Sequence, residues 1–197
     1  MLTKKEAENL VKVKGESRGM NIKIDFDFVL EKKGKEGLKK VEDKMAEIGY
    51  PLKYKEIRLM DFYPIGLEVV VLLAIKEVFN FNKKDIEKMG TSVVKFSLLM
   101  KIFMKYFGSF KLIAGEVSKM WQKHYTIGSL EMPEFSKEKR YVILREKNFQ
   151  VHPIYCNIHI GYFAKVCGMV VKAEVITCKE TKCMFQGDEY HEYLLTW

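Results

Sequence analysis

The sequence predicts an α+β domain, an antiparallel sheet with helices packed on one face. Three observations predict it. The last third reads strand, strand, helix, strand, strand with short connections, which suits antiparallel pairing. Residues 65–121 form a block of apolar-patterned helices. Residues 20–28 alternate apolar and polar side chains with period two, the pattern of a half-buried strand.

Thr3-Lys-Lys-Glu6 is a Ser/Thr-x-x-Glu capping box, so a short helix is expected over 4–13, broken by Gly15 and Gly19. Met20, Ile22, Ile24, Phe26 and Phe28 share one face of the predicted strand, and residues 32–37 form a turn. Leu38, Val41, Met45 and Ile48 recur at helical spacing before Gly49. Ile57, Leu59 and residues 61–64 form a short extended piece leading to a helix over 65–79. A short helix over 82–90 ends at glycine, and two Phe- and Met-rich helices follow, separated by Gly108 and Ser109. Residues 130–135 and 141–145 read as strands joined by a basic turn. Pro153 opens a helix that Gly168 ends. A β-branched strand over 170–178 and a hairpin around Gly187 close the chain.

A chain of 197 residues, 48% apolar and 30% charged, suffices for one well-buried domain. The charged start lacks the apolar core of a secretory signal, so a cytoplasmic protein with reduced thiols is expected. The longest apolar run, 65–75, carries Glu68 and is shorter than the roughly 20 residues of a membrane span. The net charge is +8, and residues 83–124 hold nine lysines against Asp85, Glu87 and Glu116. No arginine accompanies them, so the excess reads as the wet face of amphipathic helices, and nucleic acid is not an expected partner. The sequence contains no phosphate loop, nucleophile elbow or His-Glu-x-x-His motif, so no catalytic residue is assigned.

The most specific stretch is residues 178–197, where two cysteines, a histidine and four carboxylates surround a Gly-Asp turn. A hairpin centred on Gly187 sets Cys183 opposite His191, and directly opposed Cβ atoms lie about 5 Å apart. Thiolate and imidazole are preferred zinc ligands. Cys156 and Glu180 complete the candidate set Cys156, Glu180, Cys183 and His191. Glu180 joins only if residues 179–182 bulge or turn; on a regular strand Cys178 replaces it. His124, His152 and His159 are alternative haem ligands. Phe96, Met100, Phe103, Phe107 and Trp121 are the candidate lining of an apolar pocket, since methionine fills adaptable space.

The segments 175–183, 187–188 and 191–193 (Val-Ile-Thr-Cys-Lys-Glu-Thr-Lys-Cys, Gly-Asp, His-Glu-Tyr) resemble the end of 4-vinyl-reductase domains. These are hydrocarbon-binding modules that share their fold with TRAPP vesicle-transport subunits and are related to haem–nitric-oxide-binding-like sensors. The resemblance implies a ligand-binding domain over 85–197, with 1–84 as an amino-terminal segment. It also implies a zinc site like that of phenol-sensing members, which is held by Cys, Glu, Cys and Cys; His191 stands where the last Cys would fall. The expected function is a sensor or carrier for an apolar small molecule. The alternatives are a dimerising assembly subunit, a haem sensor and a tetrapyrrole vinyl reductase. A homodimer is the expected assembly.

Overall fold

In the computed structural model, residues 1–96 and 110–197 are described, with side chains for 1–92 and 114–197. Thr3 caps α1 (Lys4–Val11) by the reciprocal pair read from the sequence. Its hydroxyl accepts from Glu6 N–H at 3.2 Å, and the Glu6 carboxylate accepts from Thr3 N–H at 2.8 Å. The strands β1 (Glu16–Arg18) and β2 (Phe62–Pro64) pair antiparallel, with Ser17 opposite Tyr63.

Between them runs α2 (Gly19–Glu47), and here the sequence reading is corrected. The strand predicted over 20–28 is helical. Ile22, Phe26 and Val29 recur at helical spacing on a buried face, while Ile24, Asp25 and Phe28 are buried as well. A helix buried on more than one side keeps apolar residues at both i+2 and i+4, which imitates a strand's alternation. The turn predicted over 32–37 is a kink inside α2, centred on Gly34 at φ 67°. Gly49, at φ 87°, follows the helix end as expected.

The next helix, α3 (Ile65–Val78), is buried along most of its length. It packs against α1 closely enough that a Cβ on Gly66 would stand 1.8 Å from the Leu10 carbonyl oxygen. Asn82 and Asp85 cap α4 (Lys83–Phe96) reciprocally. Gly90 does not end α4 as predicted. It marks the place where the helix crosses α6, below. The helix α5 (Phe110–Gln122) leads into the sheet.

The strands β3 (Ser129–Ser136) and β4 (Tyr141–Lys147) form a hairpin, and α6 (Ile154–Val171) follows Pro153. At the α4–α6 crossing backbone meets backbone: a Cβ on Gly161 would lie 1.8 Å from Glu87 O, and one on Gly90 would lie 2.0 Å from Ile158 O. By length and composition α6 could cross a membrane. Here it lies between α4 and the sheet. It runs past Gly168 to Val171, so the strand expected from residue 170 begins only at Thr177. The closing strands are β5 (Thr177–Lys182) and β6 (Tyr190–Thr196). The sheet has the order β3-β4-β6-β5, and each neighbouring pair is antiparallel. Tyr193 and Leu195 of β6 are wholly buried, in one core cluster with Ile22, Val69, Phe149 and Phe163.

Candidate functional site

The closing hairpin brings Cys156, Glu180, Cys183 and His191 together, with one donor atom from each lying within 4.8 Å of the others. Two local features place them. The register of β5 against β6 shifts between Glu180 and Lys182, the bulge that Glu180 needs in order to reach the Cys183 side. Asp188 then clamps the turn: its carboxylate accepts from Cys183 N–H at 2.8 Å, and its own N–H donates to Cys183 O at 3.2 Å. Gly187 supplies the left-handed residue, at φ 97°.

Within the cluster the two sulfurs are 3.9 Å apart. Cys156 Sγ lies 3.9 Å from His191 Nδ1, and that nitrogen is 2.9 Å from Glu180 Oε1. Burial pushes the Cys156 thiol up, and the neighbouring Glu180 and Cys183 push it further. Burial also raises Glu180, but the hydrogen bonds from His191 and Cys156 outweigh it and leave the carboxyl below its ordinary value. Two thiols and a carboxylate thus share a desolvated corner with one imidazole. Among the described residues, no lysine or arginine forms an ion pair with Glu180. A divalent cation would stabilise the thiolates there.

A second buried centre surrounds His159. Its Nδ1 lies 3.2 Å from Glu146 Oε2, and both residues are nearly inaccessible. The rings of Trp121, Phe149, Tyr155, Phe163 and Tyr193 stand 5.3–6.4 Å from the imidazole centroid. Trp121, expected to line a pocket, is core: its Nε1–H donates to Ile127 O at 2.9 Å, and its ring meets Phe149 edge-on at 4.9 Å. The Phe96 side chain and residues Met100, Phe103 and Phe107 lie outside what is described.

The remaining histidines are separate. His124 Nδ1 lies 2.9 Å from Asn21 Oδ1. Burial, then the charges of Arg18 and Lys123, hold its pKa down at about 4, so the ring is neutral at physiological pH. His152 Nδ1 accepts from Ile154 N–H at 3.1 Å. The same ring borders an open cleft of about 600 Å³ between α1 and α3, beside Leu2, Leu10, Leu73, Lys76 and Phe81.

One group of residues was missed from the sequence. Ser17, Asp25, Glu68 and Tyr155 are each at most 5% exposed. Ser17 Oγ, Asn21 Nδ2, Asp25 Oδ2, Glu68 Oε2 and Tyr155 OH are all buried without a hydrogen-bond partner. The visible signal was Glu68, a charge inside the apolar run 65–75; the polar groups that act on it come from residues 17, 21, 25 and 155, and only the fold sets them around it.

No family model matches the chain, and no curated protein does. The fold is known, however. An H-NOX protein from S. oneidensis, solved in the Fe(II)NO ligation state, superposes with a TM-score of 0.67 at 12% identity, covering 90% of this chain and 97% of that one. An oxygen-binding H-NOX domain related to soluble guanylate cyclases, in its oxygen complex, gives 0.62 at 11%, covering 91% and 94%. A point mutant of T. tengcongensis H-NOX gives 0.64 at 13%, covering 91% and 96%. These likenesses correct the family resemblance drawn from the hairpin motif. The chain has the H-NOX fold over nearly its whole length, whereas the 4-vinyl-reductase resemblance rested on short segments of one hairpin. Glu-x-x-Cys beside a Gly-Asp turn describes a local cluster, and local clusters recur on unrelated folds.

Proposed function

We propose that the chain is a small-molecule sensor domain on the H-NOX fold, with its closing hairpin clasped by a zinc ion. The observation that supports the sensor reading is likeness over the whole domain, 90% of this chain against 97% of a protein solved with Fe(II)NO. It favours a sensor over an apolar carrier, an assembly subunit or a reductase.

Haem is the cofactor this fold suggests, and it would supply an iron that binds a diatomic gas. The described residues do not fit it. An axial histidine must turn a free nitrogen to a slot as wide as the macrocycle. His159 is instead flanked by five aromatic rings, Trp121, Phe149 and Tyr155 in one contact group and Phe163 and Tyr193 in another. His191 belongs to the thiol cluster. His152 accepts a hydrogen bond at Nδ1, which leaves the proton of the neutral ring on Nε2. His124 sits in a polar seam with Asn21, Arg18 and Lys123. The ligand is therefore read by the protein's own side chains. Titration of purified protein with haemin is expected to give no Soret band at one equivalent. A stoichiometric Soret band that disappears in His159→Ala or His124→Ala would overturn this and make the domain a haem sensor. Native mass spectrometry of gently isolated protein is expected to show a co-purifying small molecule; protein without one under every condition sinks the sensor reading.

The zinc reading is supported by donor type and spacing. Tetrahedral zinc with bonds of about 2.0–2.3 Å sets its ligands about 3.3–3.8 Å apart. The sulfur pair at 3.9 Å is already near that edge, and the widest gap, 4.8 Å, needs closure of about 1 Å by the same geometry. Four protein ligands close the coordination sphere, the mark of a structural rather than a catalytic site. Elemental analysis is expected to find one zinc per chain, lost in Cys183→Ala. Folded, metal-free protein that takes up no added zinc would overturn it.

A further inference from the structure

The open cleft of about 600 Å³ between α1 and α3 has a fixed frame. At one end the two helices touch, where a Cβ on Gly66 would stand 1.8 Å from the Leu10 carbonyl oxygen. At the other end the Glu77 carboxylate, in the last turn of α3, accepts from Leu2 N–H just ahead of α1. Leu2, Leu10, Leu73 and Phe81 form the apolar wall. Each packs against the core on one side yet is only half-buried. The Phe81 ring is set in place by Phe28, edge-on at 6.2 Å, and by Phe79 at 5.5 Å.

The polar groups around this wall are unequal. Its two acids are already engaged. Glu77 Oε1 lies 3.0 Å from Lys44 Nζ, while Oε2 takes the Leu2 N–H. The Glu6 carboxylate accepts from Thr3 N–H at 2.8 Å and from the Thr3 hydroxyl at 2.7 Å. Two donors are left over. Lys76 is exposed on α3 and forms no ion pair among the described residues. His152 accepts from Ile154 N–H at Nδ1, 3.1 Å away, so its neutral ring carries the proton on Nε2. Burial and the nearby Lys76 charge both keep that ring neutral.

This balance selects the chemistry of an occupant. A cation would meet Lys76 and find both acids spent. A neutral hydrocarbon would use neither donor. A carboxylate accepts from an ammonium and from an imidazole N–H at once, in charge-assisted bonds stronger than neutral ones. The volume also falls within the roughly 300–1,000 Å³ of small-molecule sites, which pair an apolar lining with a few placed polar groups. We propose that this cleft binds a small amphipathic carboxylic acid, its carboxylate held by the Lys76 ammonium and His152 Nε2–H and its apolar body laid along Leu2, Leu10, Leu73 and Phe81. This rests on the sensor reading and gives that sensor a ligand class.

The experiment is a ¹H–¹⁵N NMR titration of the full chain with sodium octanoate, beside 1-octanol and octylammonium chloride at equal ionic strength. Saturable shifts are expected with octanoate at the amides of Leu10, Leu73, Lys76, Phe81 and His152, with weaker binding of the alcohol and weakest of the amine. Lys76→Gln, an exposed position that leaves the core untouched, should weaken octanoate binding about fivefold and leave octanol binding unchanged. Leu73→Ala should weaken both. Octanoate shifts that never saturate, or that map outside the cleft, overturn the proposal. Equal affinity for all three compounds, or for wild type and Lys76→Gln, overturns it too, because the head group is then not read. A co-purifying non-acidic molecule would overturn the ligand class and leave the sensor reading standing. Protein that carries no molecule from the cell yet binds octanoate here would support the site and count against the sensor reading alone.

Discussion

Glu68 is buried in the core, among the described residues no lysine or arginine forms an ion pair with it, and burial pushes its carboxyl up from 4.5 to about 7. The groups facing it are Ser17, Asn21 and Asp25 from β1 and α2, Tyr125 after α5, and Tyr155 and His159 from α6. Between pH 4.5 and 7 the folded chain holds this proton while the unfolded chain releases it. The stability tied to Glu68 is therefore complete below pH 4.5 and lost as pH rises through 7, a change of about 3 kcal/mol at most. Asp25, also raised by burial, acts in the same direction. His124 acts oppositely: with its folded pKa lowered to about 4, its contribution is complete above pH 6.5 and lost as pH falls toward 4. Comparison within a mutant pair separates the two. Glu68→Gln keeps the shape and removes the ionisation, so its urea midpoint should decline less than the wild type's between about pH 5 and 8. Parallel profiles would show that Glu68 does not titrate in that window. Glu68 could be picked out in the sequence as the charge in an apolar run, but its partners could not, because residues 17, 25 and 155 carry no periodic mark of one another.

At the scale of elements, the sequence was most legible where one chemical signal sufficed. The Thr3/Glu6 box, Pro153 at the head of α6 and Gly187 in the last turn all sit where their local chemistry put them. It was least legible where tertiary burial decided. α2 reads as a strand because both sides of its first turns are inside, and Gly90 reads as a stop although it is a contact point. The α4–α6 crossing makes this measurable. A methyl at Gly161 meets the Glu87 carbonyl oxygen at 1.8 Å, and a backbone atom cannot swing aside as a side chain does. Gly161→Ala should cost about 2–3 kcal/mol by overpacking. Gly115 of α5 is exposed, and a methyl added there would have nothing within 4 Å, so Gly115→Ala should instead gain about 0.5–1 kcal/mol from helix propensity. Chemical denaturation of the two variants side by side checks both signs; equal effects would mean that the crossing has room to part.

At the scale of the whole molecule, the candidate metal cluster ties the sheet to the helices at one point. Cys156 lies in the first turn of α6, while Glu180, Cys183 and His191 lie on the last two strands and the turn that joins them. Three of these ligands were legible from hairpin symmetry and a polar bulge, since residues close in sequence across one turn are fixed by local geometry. Cys156 was in the candidate set from the sequence as well, but its place beside the other three requires the helix to dock on the sheet, which no local pattern states. The cluster's reach also sets what its loss can do. β6 is held on one side by β4 along seven consecutive pairs, from Tyr141 opposite Thr196 to Lys147 opposite Tyr190, and its Tyr193 and Leu195 are core. β5 is the edge strand, paired among the described residues to β6 alone, with alternate residues exposed. Chelation should therefore loosen β5 and the turn at 183–188 without unfolding the domain. In hydrogen exchange, amides of Thr177–Lys182 and of Cys183 and Asp188 should lose protection when EDTA is added, and those of Val69–Ile75 in α3 should keep theirs, because that helix is buried far along the chain from the cluster. Global loss of protection would mean that the clasp carries the fold itself. Unchanged protection in β5 would mean that the thiols, the imidazole and Glu180 hold the hairpin by hydrogen bonds alone, and that no metal is needed there.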